Sequence, residues 1–389
     1  MKKIILVIVF VIITGLAVRG FRGPAPGDVE PVAAVPASSR LSELLGADAD
    51  AGFPLALEPR PFRFPADHGP HPEFRNEWWY ATGNLDADGG RRFGFELTLF
   101  RFSLTPDARP DPSAWRTNQV YVGHLALTDV VAGEFHVAVR YSRGALGLAG
   151  AEAAPPRVWL EDWVMAALPD QDADREPPWR LTARDERLGI DLTLTPRKAP
   201  VANGEDGLSR KSSEPGNASY YYSLTRLAVT GAVEVDGSSH AVTGQAWLDR
   251  EWGSSALARN QLGWDWFALQ LDDETELMFY QLRLHDGARD PMSAGTWVTS
   301  DGVAHALGAD DVTLEVLDQW DSPQGGRYPI RWRLVVPGIG LDVRIWPVLD
   351  AQELVTNVRY WEGAVDVEGT RGDNEVAGRG YVELTGYAD

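Results

Sequence analysis

Apolar positions recur with a period of two along most of this chain. Phe93, Phe95, Leu97 and Leu99 alternate with Gly94, Glu96, Thr98 and Phe100. Val120, Val122, His124 and Ala126 alternate with Tyr121, Gly123, Leu125 and Leu127. Residues 188–195, 219–230, 231–245, 312–317, 328–336 and 341–346 read the same way. Neighbours in a strand point to opposite faces, so this alternation predicts β-strands. Asp-Gly pairs at Asp236-Gly237, Asp286-Gly287 and Asp301-Gly302 supply turns. Strong helical periodicity is nearly absent. The pattern predicts an all-β chain of antiparallel barrels or sandwiches. The polar, glycine-rich stretch 199–216 reads as a long loop.

Two segments look like copies of one hairpin. WWYATGNLDADGGRRFGFELTLFRF runs from Trp78 to Phe102, and WDWFALQLDDETELMFYQLRL from Trp264 to Leu284. Each opens on a pair of tryptophans, turns on Asp-rich residues and returns as a strand ending near a basic residue, Arg101 or Arg283. The spacing of roughly 185 residues is too long for a solenoid repeat. It predicts two similar β domains in tandem, 61–238 and 239–389, with the boundary near 232–245.

The remaining sequence bounds the setting. Lys2 and Lys3 precede an apolar run from Ile4 to Ile13, and small residues follow at Gly15 and Ala17. This is the logic of a signal peptide cleaved after Ala17, or of an uncleaved N-terminal anchor. It predicts a periplasmic or secreted protein, touching a membrane only through that segment if it is retained. Residues 18–60 are rich in Pro and Ala and read as a flexible linker with room for a short helix at Leu41–Leu45. There is no cysteine, so no disulfide or thiolate chemistry. Without residues 1–17 the chain carries 34 basic and 56 acidic residues, about −22 in net charge. That argues against nucleic acid and anionic membrane surfaces as partners. Fifteen tryptophans point to ligand cavities or interfaces as well as core.

Several polar residues interrupt apolar strands: Glu96, His124, Asp249, Glu251, Asp265 and Gln270. If one face of each strand packs as core, these lie on the other, which the reading assigns to the lumen of a barrel. There a polar group must be paired or bind something. Flanking tryptophans set Asp265 apart, because aromatic walls would raise its pKa. Asp249 and Glu251 share a strand face and could hold a proton between them, or form ion pairs with Arg250 or Arg259. His124 reads first as a satisfied core histidine and second as a base. His68 and His71 have metal-ligand spacing but no evident third ligand, so no metal site is expected. Glycine-rich phosphate loops and the G-x-S-x-G elbow are missing.

The blocks HPEFRNEWWYATGNL (71–85), GLSRKSSEPGNASYYYSLTRL (207–227), GQAWLDREWGSSAL (244–257), GWDWFALQLDDETELMFYQLR (263–283), YWEGAVDVEGT and GYVELTGY resemble the carotenoid 1,2-hydratase and AttH-like family, and more closely its secreted AttH-like branch. The resemblance spans about 60–389. It implies two tandem lipocalin-like antiparallel β-barrels. For one branch it implies cofactor-free addition of water to an isoprenoid double bond. For another it implies a periplasmic component associated with an ABC transport system. Arg250 stands where many members carry histidine, and an arginine cannot shuttle protons near neutrality. Two readings follow. One is an extracytoplasmic protein binding a bulky hydrophobic isoprenoid or lipid. The other is a cofactor-free hydro-lyase. Candidate catalytic residues are Asp265, Asp249 and Glu251. Candidate ligand contacts are Trp79, Glu96, His124, Tyr222, Trp252, Trp264, Trp266, Gln270 and Tyr280.

Overall fold

A computed structural model describes residues 52–106, 113–169, 175–255, 257–356 and 359–388. The signal or anchor segment, the short helix at Leu41–Leu45 and most of the linker lie outside these residues. The last part of the expected linker is folded: Phe53 and Ala56 are buried. The Pro54 and Glu58 carbonyls accept hydrogen bonds from Ser254 (2.5 Å) and Tyr220 (3.1 Å).

The fold is all-β, and the helices among the described residues are three-residue 3-10 turns. The first sheet has the strand order Glu134–Arg143, Gln119–Asp129, Arg92–Ser103, Asn76–Ala87, Ser238–Gly253, Ala218–Val235, Leu188–Pro196, Trp179–Arg184, Trp163–Ala167, Pro156–Leu160, Ala149–Ala153. Its first strand comes back against Pro156–Leu160, so the sheet rolls into a barrel. The second sheet runs Ala304–Gly308, Ala294–Val298, Glu276–Leu284, Gln261–Leu271, Asn374–Thr385, Arg359–Arg371, Leu341–Pro347, Arg327–Val336, Thr313–Asp321. It curls around its own core. All the strand pairs are antiparallel.

The two tryptophan hairpins occupy equivalent places. Asn76–Ala87 lies between Arg92–Ser103 and the last strand of its sheet, Ser238–Gly253. Gln261–Leu271 lies between Glu276–Leu284 and the last strand of its own sheet, Asn374–Thr385. Asp236-Gly237, at the expected domain boundary, is instead a hairpin turn within the first sheet. The chain crosses between sheets after Gly253, because residues 238–253 complete the first sheet by pairing on both edges. The expected loop 199–216 also departs from a plain loop. Val201–Ala202 and Leu208–Arg210 pair with the strand Ala218–Val235 and bring Lys211 into the interior.

Alternation decides what each barrel buries. Trp79, Ala81 and Leu85 point into the first barrel together with Phe93, Phe95, Leu97 and Leu99. Phe267, Leu269 and Leu271 point into the second, against Trp332, Trp361 and Val382. Both interiors are therefore filled with side chains. The other strand faces pack against each other: Tyr80, Tyr221 and Trp247 of the first sheet form one cluster with Trp266, Met278 and Tyr381 of the second. Except for Asp265, the polar positions read from sequence as lumenal thus lie between the barrels.

That junction is close and polar-bonded. A Cβ on Gly94 would come 2.5 Å from Cβ of Ala364 in the facing sheet. Asn84 donates to the Gly380 carbonyl at 2.9 Å, and Gln270 donates to those of Thr225 (2.7 Å) and Ala246 (2.9 Å). Buried Glu276 receives Lys198 at 2.7 Å and also pairs with Arg226. At these points backbone and charge are satisfied across the junction.

Candidate functional site

The two outer faces do not meet everywhere. They enclose a cavity of about 90 Å³. From the first sheet, Trp78 and Tyr80 reach it from Asn76–Ala87, Phe100 from the next strand, and Asp249 and Glu251 from Ser238–Gly253. Register places them side by side: Tyr80 pairs with Asp249, and Trp78 with Glu251. Tyr221 pairs with Glu251 from the other edge, and Lys211 closes over it. From the second sheet come Trp264 and Trp266, Tyr280 and Leu282, Glu362 and Glu383. Trp266 pairs with both Tyr280 and Glu383, and Glu383 with Glu362.

The wall is aromatic, and set in it are four carboxyl groups. Among the described residues lining the cavity, Lys211 alone carries a positive charge. It pairs with Glu251 at 2.9 Å and lies over the Tyr280 ring at 4.4 Å. Burial pulls its pKa down, but the neighbouring Glu251 charge prevails and holds it above the usual lysine value. Ser219 also donates to Glu251.

Among the described residues Asp249 forms no ion pair of its own, Lys211 being paired with Glu251. It accepts hydrogen bonds from Tyr221 (2.5 Å), Ser223 (2.5 Å) and the Trp247 indole (2.6 Å). Burial outweighs these donors and, with the nearby Glu251 charge, lifts its pKa to about 7. Burial lifts Glu383 to about 8, against a hydrogen bond from Trp264 and with added repulsion from Glu251 and Asp249. Glu362, which accepts from Tyr80 at 2.9 Å, is raised well above the usual range by burial and by Glu383 and Glu96. The site thus holds an ion-paired carboxylate on one wall and buried, uncompensated acids beside and opposite it. Such separated environments suit one group to give a proton and another to take one near neutral pH.

Of the residues singled out from sequence, Asp249, Glu251, Trp264, Trp266 and Tyr280 come together here. Asp265 does not. It faces away from its two tryptophans, is bound by Arg283 (2.9 Å), Tyr387 (2.9 Å) and Gln281 (3.3 Å), and is raised by burial against these partners. Trp79, Tyr222 and Trp252 belong to the first barrel's interior side. Trp79 carries the Arg250 guanidinium 3.8 Å over its ring, Trp252 stacks on His71 at 3.7 Å, and the Tyr222 hydroxyl meets His68 at 2.6 Å. His68 and His71 are engaged by Glu176 (2.7 Å) and Glu77 (2.8 Å). Arg250 also points inward, so it is not on the cavity wall at all.

Glu96 and His124 face the second barrel, and Gln270 faces the first from the second, but all three lie outside the cavity. Glu96 is buried, accepts from Thr98 and is raised well above the usual carboxylate range by burial. His124 contacts the Tyr360 hydroxyl, and burial holds its pKa down to about 3, so it is neutral. Sequence reading passed over Lys211, Glu362, Glu383, Trp78, Tyr80 and Tyr221. Glu362 and Glu383 sit inside the blocks YWEGAVDVEGT and GYVELTGY, where a lone Glu between apolar residues reads as solvent-facing. The signal that could have found them is the same alternation that marked Glu96.

Comparison with known proteins agrees with this architecture. A search of the curated proteins finds no match. An AttH protein of Nitrosomonas europaea is 34% identical, with a TM-score of 0.75 over 87% of this chain and 100% of its own. Kievitone hydratase from Nectria haematococca shares the fold at 16% identity, with a TM-score of 0.64 over 86% of this chain and 99% of its own. CghA shares it at 12% identity, with a TM-score of 0.54 over 88% and 96% of the two chains. The AttH-like family profile matches residues 55–387, and with two lipocalin-like sheets joined face to face the chain belongs to that family.

Proposed function

We propose that the inter-barrel cavity binds an apolar, unsaturated small molecule of the isoprenoid type and acts on it as a cofactor-free hydro-lyase. The observation that carries this reading is the placement of Asp249, Glu362 and Glu383 in an aromatic pocket whose one cation among the described lining residues, Lys211, is ion-paired with Glu251 instead. A site that only held an apolar ligand would gain nothing from buried acids, whose desolvation is costly. An acid that keeps its proton near pH 7 can protonate a double bond.

The step balances as follows. The π pair of the alkene takes the proton of Glu383 or Glu362 and leaves a tertiary cation. The faces of Trp264, Trp266 and Trp78 stabilise that cation. Water adds to it and gives up a proton to Glu251 or Asp249. Lys211, paired with Glu251 at 2.9 Å, offsets the charge on that wall. No redox partner is required. Kievitone hydratase, named for a hydration, has this fold, and its likeness supports the fold alone.

The binding-only reading takes its weight from Arg250, which stands where a proton shuttle is expected. Arg250 faces the first barrel, so it says nothing about proton transfer in the cavity. A carrier associated with an ABC transport system is the second reading. The N-terminal segment favours an extracytoplasmic site of action for either, and cell fractionation tests that part.

The chemistry is tested by incubating the protein with acyclic carotenoids and shorter isoprenoid alkenes in deuterated water. Deuterium at carbon in the recovered product, lost in Glu383→Gln and Asp249→Asn, is the expected result. Saturable binding without incorporation would overturn the hydro-lyase reading in favour of the carrier.

A further inference from the structure

We infer that the inter-barrel cavity is selective for organic cations, binding tertiary or quaternary ammonium compounds in preference to uncharged molecules of the same shape. The inference rests on the same cavity as the hydro-lyase reading and names its ligand class. Three features converge. The first is the aromatic enclosure: Trp78 and Tyr80 on one sheet face Trp264 and Trp266 on the other, with the Tyr80 and Trp266 rings edge to face at 5.3 Å. Rings around an alkylammonium group attract it through their negative faces, most strongly where water is excluded.

The second is the charge balance. Asp249, Glu251, Glu362 and Glu383 line the same space, against Lys211 as the positive charge among the described lining residues. Lys211 is committed to Glu251 on one wall. Glu362 and Glu383 lie adjacent on the opposite wall, across paired strands, with Tyr80 and Trp264 as their hydrogen-bonding neighbours. The third is the wider setting. Behind these two acids the buried groups are Glu96, with one unpartnered oxygen, the phenols Tyr360 and Tyr381, and neutral His124. None of these supplies a positive charge. A guest cation would do so, and the acids would ionise around it.

Two consequences separate a cation site from an apolar pocket. Binding of a cation must expel protons, because Glu383 and Asp249 are held partly protonated near neutrality. Affinity for the cation must therefore rise with pH between about 6 and 8, while affinity for a neutral analogue must not. An ammonium group placed where the tertiary cation of hydration would form is also an inhibitor by resemblance to that cation.

The test is calorimetric titration of the folded protein with choline and with its uncharged carbon isostere, in two buffers of different ionisation enthalpy. Choline is expected to bind about tenfold or more tighter, with proton release at pH 7. Glu362→Gln and Glu383→Gln should each reduce the preference and the proton release while leaving affinity for the isostere in place. Equal binding of the two probes by the wild-type protein overturns the inference without recourse to any variant. So does a preference that survives both substitutions. Cation preference without deuterium incorporation upholds this inference and sinks the hydro-lyase. Incorporation without cation preference does the reverse.

Discussion

Arg250 and Glu77 are ion-paired at 2.8 Å, and both side chains are fully enclosed. Glu77 also receives Arg101 (2.8 Å) and His71 (2.8 Å), and Arg250 donates to the carbonyls of Trp78 (2.6 Å) and Gly69 (2.6 Å). Burial would push the Glu77 carboxyl up, but the guanidinium of Arg250, His71 and Arg101 hold it far below the usual range. This network ties the loop before the first tryptophan strand to the last strand of the same barrel. Removing Arg250 takes from the buried Glu77 carboxylate the charge that does most to hold it ionised.

Arg250→Leu is therefore expected to lower stability by about 3–5 kcal/mol. Ligand affinity in the folded fraction should be retained, because the side chain does not face the cavity. Denaturant unfolding and calorimetric titration of the same preparation check both halves. A stable variant with lost affinity would contradict the placement.

Gly94 sets the approach of the two barrels. With Ala364 Cβ 2.5 Å from where a Cβ would stand, even alanine must push the sheets apart. Gly94→Ala is expected to cost about 1–3 kcal/mol as overpacking, and Gly94→Val more. Solvent access to the cavity should increase with it, read by acrylamide quenching of tryptophan fluorescence. Ala364→Gly in the Gly94→Ala background should restore much of the loss.

Stability should fall as pH rises through the neutral range. Glu383 titrates near 4.5 when unfolded and near 8 when folded. Below 4.5 both states hold the proton and the group contributes no difference. Between 4.5 and 8 the folded state holds more protons, so stability declines by at most about 1.4 kcal/mol per pH unit. Asp249 adds to this decline between 3.8 and about 7. Glu383→Gln removes its share, so thermal unfolding at pH 6 and pH 8.5 should show the variant gaining on wild type at the higher pH. Parallel curves for the two proteins would show that Glu383 is not held protonated.

The strands were legible because alternation is a local property. Phe93 to Leu99 reads as one buried face whatever lies opposite. Which object covered the second face was not legible, since that depends on the docking of strands some 185 residues apart. Glu96 and Gln270 thus read as buried polar groups of a lumen that Phe95 and Leu97 already fill in the first barrel, and Phe267 and Leu269 in the second. The double tryptophans misled in a related way. Trp78 and Trp79 point to opposite faces, so only one of them could line the site, and Trp78 does. Lys211 was hidden because residues 199–216 have a loop's composition. Its backbone is held by short pairings with the Ala218–Val235 strand that a two- or three-residue segment cannot advertise.

Asp265 gives the sharpest test of the assignment. Sequence placed it first among the acids because tryptophans flank it, but those same tryptophans take the cavity face and leave Asp265 on the other. There Arg283, at 2.9 Å, and Tyr387 neutralise and bind it. Asp265→Asn is expected to lower stability by up to about 3–5 kcal/mol, as for a broken buried pair. It should leave deuterium incorporation per folded molecule and its pH profile unchanged. Asp249→Asn keeps shape and one accepting oxygen at the cavity wall but removes a group titrating near 7. It should therefore abolish the corresponding limb of the pH profile while changing stability far less. If the two substitutions exchange these effects, the proton-transferring site lies at the Arg283 end of the tryptophan strand and not between the barrels.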